Sequence, residues 1–492
     1  MTAGVVAAAT VLGVGHLVAA FVDPAASPFF ALGASVVDRT PHALKDAAIR
    51  WFGSNDKLAL FVTMAAVMAV GAAIIGLLER RRWWGSAALA VLGGVATAAA
   101  LHRPTATTAF VLPGLIGTVA GVLALRILSV RPTAASATSG VSRRSFLLAA
   151  AGVGAVAVGA AATGRWLGTR LRDLVADRAG FVVPQANPIP PPGEADAAID
   201  GVTPFLTAID RFYRVDTALQ LPALTSAQWR LRIHGMVERP MELDFDRLRE
   251  RTAVQRTVTL TCVSNEVGGD LAGTAVWTGY SLAELLREAG VSRESDMLLS
   301  RSVDGFTAST PVSAIMDGRD ALLAIGMNGQ PLPIEHGYPA RLVIPGLYGY
   351  VSATKWVVDL ELTRFDRARA YWTQRGWAAD APIKTASRID VPAAFAKVPA
   401  GPVTVAGVAW AQRRGIVAVE VQVDDGPWQA ATLAGEYSKD TWRQWYWRWD
   451  APPGAHTLRV RATDADGTQT DHRTPPFPDG STGWHSRVVT VG

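Results

Sequence analysis

Cys262 is the only cysteine among 492 residues, so this chain can form no intrachain disulfide, no CxxCH haem attachment and no all-cysteine zinc or iron-sulfur site. A lone thiol is inert, nucleophilic or a metal ligand. Taken in isolation it reads as packing, because free cysteine is among the most buried residue types. Its setting points elsewhere. The β-branched run RTVTLTC ends at Cys262 and passes into the polar, glycine-rich loop SNEVGGDLAG, and a ligand can approach a thiol at a strand end beside flexible backbone. Use as a hydrolytic nucleophile would require a base nearby, and no local Cys-His signature is present.

The elements that must position this thiol follow from periodicity. From about 200 to 365, short strands such as WRLRIHGMV, RTVTLTC, ARLVIPG and KWVVDLEL interleave with the helical stretch SLAELLREAG, which predicts a mixed α+β domain. From about 400, closely spaced strands with turn signals, including VTVAGVAWA and HTLRVRATDADG, predict a β-sandwich of immunoglobulin-like size. In DTWRQWYWRWD, period two places Trp445, Trp447 and Trp449 on one strand face, as sheet packing rather than a ligand platform. The proline-rich run PQANPIPPPG at 184–193 predicts an extended spacer. The expected divisions are 1–165, a helical membrane bundle; 166–200, a linker; 201–390, the catalytic domain; and 395–492, the sandwich.

Composition separates the first third from the rest. Four apolar stretches, at about 3–22, 57–78, 84–101 and 108–130, match the length of a membrane-crossing helix, and a fifth follows at 145–163. Between the first two, PHALKDAAIRWFG carries apolar residues at helical spacing, as in an interfacial helix. The net charge of +5 with a pI near 9.5 does not imply nucleic-acid binding, because much of the basic charge flanks apolar spans, where it orients a membrane protein. Glu79-Arg80-Arg81-Arg82 and the basic stretch from Arg126 to Arg144 then fall on the cytoplasmic side, placing the C-terminal two thirds outside the cytoplasm. The segment 142–148, with Arg143-Arg144 followed by Phe146-Leu147, resembles a twin-arginine signal, which exports folded, typically cofactor-loaded domains. His16 and His102, without a second matched pair, read as interfacial residues rather than haem ligands.

Four groups of segments, TLTCVSNEVGG, AVWTGYSLAELL, MNGQPLPIEHGYPARLVIPGLYGYVSATKW and the closing GWH, resemble those of the sulfite oxidase family in matching order over about 205–492. The resemblance implies an α+β sulfite-oxidase-type domain holding one molybdopterin, with Cys262 as the thiolate ligand of its molybdenum. It assigns His336, Arg341, Ala353, Thr354 and Lys355 to the pterin and its phosphate. Such roles suit the planar fork of Arg341 and the point charge of Lys355. Through DRFYRVDT it brings Asp210, Tyr213 and Arg214 to the cofactor, with Arg214 at the substrate mouth, and it places a further contact at Ser300 or Ser302. Trp277 and Gly279 are expected to be structural. A homodimer contact through the C-terminal domain is implied as well.

The departures concern substrate. Where sulfite-oxidising members carry an arginine after the ligand cysteine, this chain has Glu266 and Val267, and Trp377 stands where the family has a tyrosine near the metal. No haem domain is evident, so electrons must be exchanged with an external carrier, a cytochrome or a quinone-linked one. The expectation is a membrane-anchored, extracytoplasmic molybdenum oxidoreductase performing oxygen-atom transfer on a small oxyanion or, alternatively, reducing a sulfoxide such as methionine sulfoxide. The competing reading from another class is a non-catalytic membrane receptor or scaffold with a relic fold.

Overall fold

The computed structural model describes residues 1–40, 56–79, 83–103, 106–129, 158–159, 162–163, 170–218 and 221–492. The twin-arginine-like stretch, most of the expected fifth span and the segment PHALKDAAIRWFG lie outside the described residues. The chain divides into two compact units, Met1–Leu174 with Ala218–Ala223, and Val175–Thr217 with Leu224–Gly492.

Among the described residues of the first unit, four helices are long and apolar enough to cross a membrane: Thr2–Val22, Ala59–Leu78, Trp84–Leu101 and Thr108–Ser129. They coincide with the four expected stretches. Their shared core, with Ala3, Ala7, Val11, Ile75, Leu89 and Leu125, uses several small side chains, which let helices approach closely. Their outer faces carry bare apolar residues such as Val67, 66% exposed, together with Val91 and Ile127.

The second unit contains four sheets. In one, Leu231–Gly235 runs parallel to Val357–Thr363, flanked by Met241–Leu243 on one side and by Met297–Ser302 and Thr307–Pro311 on the other. In another, Val254–Thr261 pairs antiparallel with Ala272–Ser281, which pairs with Leu322–Met327. The helix Leu282–Ala289 starts where the Ser281 side chain accepts the Glu284 N–H and stops at Gly290 in the left-handed region. This is the stretch SLAELLREAG, expected to be helical.

The remaining two sheets, one built on Ala386–Val391, Gly401–Trp410 and Arg443–Ala451, the other on Ile416–Val423, Gly454–Asp464 and His485–Val491, share one buried core. Trp445 and Trp449 are buried in it and Trp447 packs against it. Trp445→Ala, removing a side chain that is 0% exposed, should cost about 3–5 kcal/mol. Chemical denaturation checks this, and a loss below about 1 kcal/mol would contradict the assigned core position.

Two boundaries differ from expectation. Ala386–Val391 pairs with Gly401–Trp410, so the C-terminal pair of sheets begins ahead of residue 395. Parts of the expected linker 166–200 are docked. Asp177 accepts bonds from Ser226 and from the Tyr338 hydroxyl, and Arg178 donates to the Pro331 and Leu332 carbonyls. Farther on, Tyr437 donates to the Pro190 carbonyl. Extended proline-rich backbone leaves its carbonyls free, and a neighbouring surface can use them.

Candidate active site

Strand Val254–Thr261 delivers Cys262 to the wall of a cavity, and the loop that follows folds back on the thiol. The Cys262 N–H donates to the Leu271 carbonyl at 2.9 Å, and the Asn265 N–H returns to the Cys262 carbonyl at 3.1 Å. Burial pushes the thiol pKa up, while hydrogen bonds from Ser264 and the charge of Lys355 pull it down. Thiolate chemistry here depends on positive charge supplied nearby.

Two cations, Arg341 and Lys355, line the same cavity. A 3-10 turn, Ile334–His336, leads through Gly337 into strand Arg341–Val343, and the short helix Gly349–Ser352 leads through Ala353 to Lys355. Gly337 sits at φ +111°, where a Cβ would lie 3.1 Å from the Cβ atoms of both Arg341 and Lys355, so glycine keeps the two cations together. Arg341 is buried over the Trp277 ring at 5.0 Å and donates to the His336 carbonyl at 3.0 Å. Trp277, expected to be structural, is buried and also forms the floor beneath this guanidinium. Lys355 donates to Asp216 at 3.0 Å and to the Glu335 carbonyl at 3.1 Å.

Not every expected residue reaches the cavity. Its lining includes Tyr213, Cys262, Ser302, His336, Arg341, Ala353, Lys355 and Trp377, but not Asp210, Arg214, Ser300 or Thr354. Thr354 and Ser300 are fully buried and bond each other at 2.7 Å, so they hold two walls together. Asp210 is exposed. Arg214, also exposed, touches the site through Asp216, to which it donates at 2.8 Å. Glu266 and Val267 line a separate small pocket with Ser387 and Gln469, so they do not set the charge around Cys262. Residues missed by sequence reasoning include Asp216, Ser264, Asp304, Phe306, Tyr350 and Trp372. Asp216, Ser264 and Tyr350 lay inside the quoted segments, but no periodicity distinguishes a cavity-facing residue from its neighbours there.

The site's electrostatics follow from burial. His336 is lowered to about 3, first by burial and then by Arg341, Lys355 and Arg214, so it is neutral, and its interaction with the Ile209 carbonyl engages its one N–H. Its other ring nitrogen is then an acceptor. Burial also pushes the Tyr213 hydroxyl up, with Cys262 adding to the shift. Around the mouth, Trp377 packs against Tyr350 at 5.8 Å, Trp372 at 6.1 Å and Phe477 at 5.4 Å.

Lys355 is lowered to about 8, chiefly by burial and against the pull of Asp216. In the cofactor-free protein the unfolded chain therefore binds this proton more tightly than the fold does. Stability should rise as pH climbs from about 8 toward about 10.5, whereas an anion held by Lys355 should be lost over the same window. Thermal unfolding of wild type and Lys355→Met checks the sign. Identical slopes between pH 8 and 10 would remove Lys355 from the account.

Residues 218–372 match the family described as oxidoreductase molybdopterin binding domain. Mitochondrial sulfite oxidase of Homo sapiens is 28% identical, over 49% of this chain and 53% of its own length. Sulfite oxidase of Gallus gallus is 29% identical, over 49% of this chain and 62% of its own. The chain thus spans about half the length of the human relative. The crystal structure of the sulfane dehydrogenase SoxCD from Paracoccus pantotrophus shares the fold, with a TM-score of 0.51 and 24% identity over 61% of this chain and 85% of that one.

The residues present fit the cofactor that this family implies. Among the described residues no group of three or more His, Cys, Asp or Glu is arranged to hold a metal ion, whereas a cofactor that brings its own donors to a soft metal needs only one protein thiolate. The arginine and lysine are buried and like-charged neighbours whose mutual repulsion a phosphate dianion would relieve.

Proposed function

Since the chain belongs, through residues 218–372, to the sulfite oxidase family of molybdenum-dependent oxidoreductases, we propose that it is a membrane-anchored enzyme whose Cys262 thiolate ligates the metal of a molybdopterin cofactor and which transfers oxygen atoms in two-electron steps. The observation that carries this reading is one cavity bringing together the sole thiol, Arg341, Lys355 and His336. Two-electron chemistry comes from the molybdenum when the cofactor is bound. The protein's own residues bind and orient. Arg341 and Lys355 hold the phosphate end, His336 accepts a pterin N–H, and Tyr213 lines the same cavity, where it feels the charges of both the thiol and Arg341.

A second reading within the same class is supported by the mouth, where Phe306, Tyr350, Trp372 and Trp377 present aromatic surface. An aromatic rim favours a substrate with an apolar substituent, such as a sulfoxide, over a compact dianion such as sulfite. Steady-state assays separate the two. Sulfite oxidation with an artificial acceptor supports the first, and sulfoxide reduction with an artificial donor supports the second. Trp377→Ala should raise KM more than it lowers kcat for the true substrate.

The four apolar helices support a membrane anchor, and the basic clusters beside them support an extracytoplasmic catalytic unit exchanging electrons with an external carrier. A C-terminal alkaline phosphatase fusion that stays inactive in intact cells would overturn that orientation. We read the C-terminal pair of sheets as immunoglobulin-like and suited to a homodimer contact, which light scattering of the purified protein tests.

A further inference from the structure

The closing GWH segment, Gly483-Trp484-His485, contributes nothing to the lining of the Cys262 cavity, yet its histidine meets the loop that carries the thiol. We propose that the C-terminal sheets clamp the Cys262 loop from behind, with His485, Arg388 and Ser481 as its positioning residues.

On its inner side the loop satisfies itself. The Leu271 N–H donates to the Asn265 side chain at 2.8 Å, and the Gly269 N–H donates to the Glu266 carbonyl at 2.9 Å. Two further carbonyls of the loop are taken by the C-terminal part. Ser481 Oγ donates to the Asn265 carbonyl at 2.6 Å, and Arg388 Nη1 donates to the Gly269 carbonyl at 2.7 Å. Arg388 is itself fixed, by Asp390 at 2.7 Å and by the Thr203 hydroxyl at 2.7 Å.

Between those two anchors the imidazole of His485 lies against Gly268. Its Nδ1 accepts the Ile389 N–H at 3.0 Å, which fixes the ring's tautomer and orientation, and burial keeps it neutral by lowering its pKa to about 4. A Cβ at residue 268 would fall 2.1 Å from His485 Cδ2 and 2.4 Å from Nε2, and the backbone there has φ +80°. Only glycine allows this approach. The clamp therefore fixes the stretch from Asn265 to Gly269, immediately after Ser264, whose hydrogen bonds to Cys262 help set the thiol's direction.

The proposal rests on the metal-ligand reading of Cys262 for its catalytic consequence, but the clamp can be tested on the thiol alone. Because the chain has one cysteine, iodoacetamide alkylation of the full-length, cofactor-free protein reports only Cys262. Loss of the Ser481 bond in Ser481→Ala should accelerate alkylation about fivefold, the worth of one ordinary hydrogen bond in the opening equilibrium. Ser481→Thr should restore the wild-type rate. Gly268→Ala should accelerate it by about tenfold or more. Val421→Ala, in the sandwich core and away from the loop, should lower the thermal midpoint without accelerating alkylation. An unchanged rate in Ser481→Ala, or an equal acceleration in Val421→Ala at matched thermal loss, overturns the clamp. Absence of molybdenum from the wild-type holoenzyme would instead defeat the ligand reading and leave the alkylation result standing.

Discussion

Cys262→Ser should leave a folded protein that retains pterin and loses turnover by more than about a hundredfold, beyond the upper end of what losing an outer-shell partner of a metal site costs. The reason is the division of labour in the cavity. Arg341 and Lys355, which line the cavity with Cys262, would hold the phosphate end of the proposed cofactor, so its retention should not depend on the thiol, whereas the metal's only proposed protein ligand is the Cys262 sulfur. A serine hydroxyl is a harder donor with a far higher pKa and does not replace a thiolate on a soft site. Molybdenum analysis, pterin fluorescence after oxidation and steady-state rates, run on wild type and variant from a cofactor-competent host, separate these effects. A variant with wild-type turnover, or wild-type protein without molybdenum, would end the assignment.

Arg341→Ala should produce the opposite pattern, with cofactor content falling below about a tenth of wild type and stability falling with it. The side chain is 5% exposed and spans the site, donating to the His336 carbonyl at 3.0 Å with weaker contacts to the Leu342 and Ala353 carbonyls at 3.4 Å. Its removal leaves buried acceptors without a donor and strips the Trp277 ring of its cation, a loss of about 3 kcal/mol. For a unit of this size that is a fall of roughly 5 °C in the thermal midpoint. Arg341→Lys should recover less than half of the lost cofactor, because an ammonium supplies charge without the planar fork that reaches several acceptors at once. Full recovery with lysine would show that charge alone holds the anion.

The parts of this protein governed by local pattern were open to reading in the chain. Apolar stretches of membrane length became the four long helices, because hydropathy over some twenty residues is a property of the segment alone. Ser281 and Gly290 bracketed their helix, and the period-two tryptophans fell on the core face of strand Arg443–Ala451, since capping and pleat depend on adjacent residues. Cys262 stood at a strand end before a glycine-rich loop, and the arginine and lysine that face it stood in short, ordered segments.

Orientation around the cavity was decided only in three dimensions. Ser302 faces it and Ser300 does not, two residues apart on one strand, because a bond to Thr354 draws Ser300 into the wall. Glu266 and Val267 follow Cys262 closely in sequence yet turn away, since the outer side of their loop packs against the C-terminal sheets. Asp216 joins Lys355 across 139 positions, and Phe477 reaches the wall of Trp377 from 100 residues downstream. Hydropathy and turn chemistry fix where the chain bends and which stretches are buried. Which polar group meets which depends on contacts between segments far apart in sequence, and so a thiol visible in the sequence acquired its partners only through the fold.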